Sequence, residues 1–155
     1  SDVCSSDLSK LHPNHQILLN VKDDLGTMLG RHSAFSLEGL SEANLARKIE
    51  CCSEVLRILD VVCPGYTRYR GITLYELHAA LILSGSRKFA GDLISSTEFE
   101  MEIKRAAECL KECMEILKFE MVGTTEGKIY QAAVNNWEQI KEWFRCFESL
   151  ESSGR

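Results

Sequence analysis

The chain is expected to fold as an all-α domain of about five amphipathic helices packed antiparallel. Three observations predict this. Apolar residues recur at three- and four-residue intervals in five separate stretches. Capping residues such as Ser41, Thr73 and Ser95 head these stretches, and Gly or Pro closes several of them. No alternation of apolar and polar residues long enough for a strand appears.

The first helix is predicted over Pro13–Leu29. Pro13 suits a first helical turn, where its missing N–H is not needed. Ile17, Val21, Leu25 and Met28 keep helical spacing, and Gly30 tolerates the positive φ of a helix terminus. The second helix is predicted to start at Ser41, whose hydroxyl can accept from free first-turn N–H groups. Leu40 and Leu45 have the spacing of a hydrophobic staple. Leu45, Ile49, Cys52, Leu56 and Leu59 mark its apolar face, and Pro64-Gly65 ends it.

Pro64 to Gly71 reads as a loop. Thr73-Leu74-Tyr75-Glu76 then fits a capping box, with Ile72 and Leu77 as its staple. The third helix runs through Leu81 and Leu83. Ser84-Gly85-Ser86 leaves two ends open for it, one there and one near Ala90. Ser95 and Glu98 form a second capping box, opening a helix marked by Phe99, Ile103, Ala107, Leu110, Met114 and Leu117 and closed by Gly123. The last helix begins near Thr125 and carries Ile129, Ala133, Trp137, Ile140, Phe144 and Phe147; from Ser149 the polar tail is expected to fray. Each helix has one apolar face, so they are expected to depend on one another for stability.

With 155 residues the chain has the length of one domain. Its 45% hydrophobic and 26% charged residues exclude a disordered chain, and no apolar run approaches the roughly 20 residues of a membrane span. A net charge of -5 argues against direct binding to nucleic acid. The seven cysteines are odd in number and form no CxxC pair, and most lie within helical patterns. Reduced thiols, and hence an intracellular protein of the cytoplasm or nucleus, are expected. The opening residues also lack the basic-then-apolar stretch of a signal peptide.

Residues 1–8, SDVCSSDL, share no pattern with the rest of the chain and look like the translation of a short sequencing adapter. The expected division is therefore a non-native tail over 1–8, a helical domain over 9–150 and a polar tail over 151–155. Without the first segment, Asp2, Asp7 and Cys4 leave and no cation does. The net charge moves from -5 to -3, and six cysteines remain.

Several groups of residues could carry chemistry. Cys109 and Cys113 share a helical face and Cys51 and Cys52 are adjacent; with Cys63, His78 or His15 they can be imagined as zinc ligands. The spacing fits no zinc pattern, and small apolar fillers are expected instead. His12 and His15 are expected to solvate a helix entry, His78 to bond a buried loop carbonyl, and His32 has no companion. Trp137, Trp143, Phe144 and Phe147 are expected in the core; with Tyr130 they form a partner face if the helix is terminal. Tyr66, Arg68, Tyr69 and Arg70 mix aromatic and guanidinium groups, which suit stacking and forked hydrogen bonds to a partner. The same arginines can equally tie the loop to carboxylates within the domain. No phosphate-binding glycine loop, nucleophile elbow or carboxylate pair is recognisable, so no catalytic, cofactor or metal residue is assigned.

One stretch is distinctive: Ile58-Leu59-Asp60-Val61-Val62-Cys63-Pro64-Gly65, then Arg68, Arg70-Gly71 and Thr73-Leu74-Tyr75-Glu76-Leu77-His78. It resembles the C-terminal helical region of the SET-and-MYND-domain proteins, especially their arthropod branch. His12-Pro13-Asn14-His15, Arg47-Lys48-Ile49-Glu50, Leu117-Lys118-Phe119-Glu120 and Glu126-Gly127 extend the resemblance over about Leu11 to Trp143. It implies a tetratricopeptide-like array beside a SET core that uses S-adenosylmethionine to methylate protein lysines, with zinc held by MYND and post-SET cysteines. The tetratricopeptide Trp–Leu–Gly–Tyr signature itself is absent, as are the MYND and post-SET cysteine spacings and the SET Asn-His and Tyr motifs. The expected function is that of a non-catalytic domain, packed on the SET/MYND core in cis and shaping access of a protein substrate or partner. Tyr66, Arg68, Tyr69 and Arg70 are the candidate contacts. The alternatives are an adaptor from a parent without methyltransferase activity and, more remotely, a free-standing enzyme using its Cys and His residues.

Overall fold

A computed structural model describes residues 37–154. The 1–8 tail, the helix expected over Pro13–Leu29, and Cys4, His12, His15 and His32 lie outside them. The described residues are all-α, with a short 3-10 turn, Leu37–Gly39, and four long helices: α1 Glu42–Val62, α2 Arg68–Ala90, α3 Ser96–Leu117 and α4 Thr125–Ser153. None of these helices is long and apolar enough to cross a membrane. The chain divides into two compact units, one ending at Gly65 and the other running from Tyr66.

In the first unit, α1 starts where the sequence indicates. The Ser41 hydroxyl accepts from the Asn44 N–H at 3.2 Å. Its buried face is broader than the predicted stripe: Leu45, Cys52 and Leu59 are joined by Lys48, Cys51, Val55 and Ile58, while Ile49 and Leu56 are half-buried. Cys63 leaves the helical region, as a residue before proline tends to, and Gly65 takes a φ of 110°.

In the second unit, α2 begins at Arg68, six residues before the predicted start. The true cap is Thr67, whose hydroxyl accepts from the Arg70 N–H at 3.1 Å. Thr73 lies inside the helix, its hydroxyl donating to the Tyr69 carbonyl one turn back at 2.9 Å. The longer helix places Gly71 against α3, where a Cβ would come within 2.9 Å of Leu117. Four turns later Gly85 meets Glu102 and Phe99. These pairings run in opposite directions, so α2 and α3 are antiparallel and approach closely at both ends of their seam.

Of the two ends left open for α2, the structure has the later one, at Ala90. Asp92 N–H bonds the Phe89 carbonyl and Leu93 N–H the Lys88 carbonyl, the two bonds of a Schellman motif. The left-handed position falls on Asp92, at φ 55°, while Gly91 keeps an ordinary φ of -89°.

The Ser95–Glu98 capping box opens α3 in both directions: Glu98 N–H donates to Ser95 Oγ, and Ser95 N–H to the Glu98 carboxylate at 2.7 Å. The helix stops at Leu117, not at Gly123. Met121 keeps the apolar period, which is why the pattern seems to continue. However, its carbonyl is taken by the next cap, accepting from Thr124 N–H at 3.0 Å and Thr124 Oγ1 at 2.7 Å. Thr124 in turn accepts from Gly127 N–H at 3.0 Å. A Cβ at Gly127 would overlap the Met121 carbonyl oxygen, so the turn sits directly on the first turn of α4.

α4 packs antiparallel on α3: Phe147 meets Phe99, and Trp137 lies beneath Lys111. It continues to Ser153, past the fraying expected from Ser149. Ser149, Ser152 and Ser153 hydroxyls each donate to a carbonyl of the preceding turn, which keeps a polar end helical.

Candidate functional site

The predicted contact residues lie at the end of the second unit where α2 begins and α3 stops. Tyr66 precedes the Thr67 cap, while Arg68, Tyr69 and Arg70 form the first turn of α2 and not a loop. Two positions apart on a helix, Arg68 and Arg70 point to different sides. Arg68 Nε donates to Glu120 at 2.7 Å, and Arg70 Nε to Glu112 at 2.6 Å. Both guanidinium groups therefore join α2 to the end of α3, matching the tie to internal carboxylates that the sequence also permitted. The Arg70 pair is the more sheltered of the two, and Tyr69 is half-buried. The four residues do not converge on a single face.

What does converge beside Tyr66 and Arg68 was missed by sequence reasoning. The turn after α3 exposes a run of apolar side chains: Phe119 is 84% exposed, Met121 76% and Val122 91%, with Tyr66 at 72%. The Arg68–Glu120 pair fixes this turn to the start of α2. Lys118 Nζ bonds Glu115 at 2.7 Å and lies 5.2 Å from the centre of the Phe119 ring. Its pKa is raised chiefly by Glu115, with smaller contributions from Tyr66 and Tyr130, which lie close enough to be felt. The available signal was Phe119 and Val122, which fall off the α3 period just before Gly123. The result is an apolar patch edged by paired charges, a surface suited to contact with another protein.

His78 is fully buried. Its Nδ1–H donates to the carbonyl of Tyr75 in its own helix, correcting the expected loop carbonyl. Nε2 then accepts from the Asn136 amide of α4 at 3.2 Å. Burial lowers its pKa to about 4, so the ring is neutral at pH 7 with both nitrogens engaged. Among the described residues every buried side-chain nitrogen and oxygen has a partner.

The thiols follow a similar rule. Burial pushes Cys109 up to about 11 and Cys113 up to about 12, which keeps both protonated and poor as nucleophiles or ligands. Cys51 and Cys52 are buried, while Cys63 and Cys146 are exposed. Among the described residues no group of three or more His, Cys, Asp or Glu is placed to hold a metal.

The aromatic residues of α4 depart from the core expectation. Its fully buried residues are Gly127, Ile129, Ala133 and Ile140, whereas Trp137, Trp143, Phe144 and Phe147 are half-buried. The rings flank the line of small and aliphatic residues and stack outward instead. Phe89 lies parallel on Phe99 at 4.8 Å, and Phe147 meets Phe99 edge-on at 5.9 Å. Comparison of the chain with family models, with curated proteins and with solved structures gives no match in any of the three.

Proposed function

We propose that this chain is the tetratricopeptide-like, non-catalytic C-terminal domain of a SET-and-MYND protein-lysine methyltransferase. In this reading it packs on the catalytic core in cis and shapes access of the protein substrate. The observation that supports it is the coincidence of two features at one place. Two of the stretches that carry the family resemblance, Arg68–His78 and Leu117–Glu120, are joined by the Arg68–Glu120 pair, and beside that joint lies the exposed patch of Tyr66, Phe119, Met121 and Val122. An apolar surface of this kind is what a domain presents to a neighbouring domain or partner. S-adenosylmethionine and zinc would belong to the parent's core; no residue of this chain is assigned to them.

The test is the coding sequence upstream of Ser9. A continuous frame encoding a SET core with its Asn-His and Tyr motifs is expected. A frame without one overturns the reading and leaves the adaptor function. In the whole protein, Phe119→Ser with Val122→Ser should lower methylation of a protein substrate while leaving the domain's helicity, read by circular dichroism, unchanged. Methylation at the wild-type rate would remove the patch from the mechanism.

A further inference from the structure

A second surface of the Tyr66–Arg155 unit lies away from this patch. Between α3 and α4 runs an open groove of about 550 Å³ lined by Glu100, Lys104, Ala107, Glu108, Lys111, Phe144, Glu148 and Glu151. A smaller hollow lined by Ser96, Thr97, Phe147 and Leu150 extends it, sharing Glu100 and Glu151. From Ser96 to Lys111 the furrow follows α3 for about 22 Å, the length of roughly four helical turns. Its apolar lining is Ala107 and Phe144 in the groove, with Phe147 and the 66% exposed Leu150 in the smaller hollow.

Its walls carry an unbalanced charge. Lys104 is held by Glu100 at 2.6 Å, and the Lys111 ammonium lies 5.1 Å from the centre of the Trp137 ring. Glu108 on α3 and Glu148 on α4 make no ion pair among the described residues, while Glu151 lies close enough to Lys104 to help raise its pKa. Carboxylates thus line the furrow from both helices.

We propose that this furrow binds a basic amphipathic helix from another protein. Its apolar stripe would lie on Phe144, Phe147 and Leu150, and its flanking Lys or Arg residues would meet Glu108 and Glu148. The mode is the laying of an apolar helix face into a groove, with the charges selecting the sign of the partner. It does not depend on the proposed parent enzyme.

The test uses the 155-residue chain and a fluorescein-labelled 18-residue peptide with Leu at helical i, i+3, i+4 and i+7 positions and Lys on the flanks. Binding is read by anisotropy. Binding of the Leu/Lys peptide is expected, together with a loss on the order of tenfold in the E108K/E148K double variant. Glu138→Lys, at an exposed α4 position outside the furrow, should change affinity by less than about twofold. No binding by the wild type overturns the proposal. So does a loss of about threefold in E138K, the same per reversed charge, which would mean net charge alone, or equal binding of the same peptide with Glu in place of Lys, which would mean apolar adhesion alone. If E108K/E148K loses helicity by circular dichroism, Leu150→Ser carries the test: a loss of about fivefold supports the site and no loss overturns it.

Discussion

The seam between α2 and α3 and the furrow between α3 and α4 share one helix but are built in opposite ways. At the seam, a carbon added at Gly71 would collide with the Leu117 side chain, and one added at Gly85 would lie tight against Glu102 at 3.3 Å. Leu74, Leu77, Ala80 and Leu81 are all buried on α2. At the furrow, α4 faces α3 with Trp137, Phe144 and Phe147, none fully buried, and large rings leave open space beside them. α4 is the longest helix, with 29 residues, yet only four of them are buried; α2 buries ten of its 23. Side-chain size at the contact sets the distance between helices. Small residues have closed one side of α3, and aromatic residues have left the other accessible.

The comparison can be broken most directly by truncating one side chain from each region. Leu81→Ala should remove about 3 to 4 kcal/mol of stability, because Leu81 is fully enclosed and a cavity is left behind. Phe144→Ala should remove less, about 2 kcal/mol, since its side chain is only partly enclosed and the open furrow lies beside it. Urea unfolding of the two variants measures both losses, and equal losses would mean that the furrow is as well packed as the seam.

Acidification is expected to act on the polar link between α2 and α4. His78 has a pKa of about 4 when folded against an ordinary 6.5, because burial disfavours its charged form. The unfolded chain therefore takes up the proton first as the pH falls. Stability is unaffected above pH 6.5, declines between 6.5 and about 4, and by then has lost about 3 kcal/mol. Urea midpoints across this window test it: His78→Gln should flatten the slope between pH 6.5 and 4, whatever its stability at pH 7.

Single added methyl groups should act in opposite directions, and the smaller of the two effects is the smallest expected. Gly71→Ala should cost about 2 kcal/mol, because Leu117 and Ile116 must move to admit it. Gly123→Ala, with nothing within 4 Å of the new carbon, should instead gain about 0.5 kcal/mol by restricting the unfolded chain. Thermal unfolding of the two variants should shift in opposite directions.

Local signals were legible in the sequence wherever one chemical reading dominated. Ser95 and Glu98 satisfy each other's backbone donors and appear as written, as does the Ser41 cap. Thr73 misled because its capping box competes with Thr67, and the choice depends on where Gly71 must meet α3, a tertiary fact. Met121 misled because it keeps the helical period while its carbonyl serves the following cap. At the candidate site, Tyr66 and Arg68 were singled out by composition, and the structure places the exposed turn of Phe119, Met121 and Val122 after the helix that Arg68 is tied to. Phe119 and Val122 were hidden because burial, unlike periodicity, is settled only when the helix ends are known. The furrow was not legible at all: Glu108 and Glu148 lie 40 positions apart and become neighbours only through the pairing of α3 with α4.

The carbonyl of Met121, bonded twice by Thr124 and pressed against Gly127, has a consequence for recognition. Exposed apolar turns are ordinarily pliable, and a partner must order them before it gains from the contact. Here the first turn of α4 holds the backbone at Met121, between Phe119 and Val122. The proposed association at this end would then surrender less backbone entropy than a free turn would.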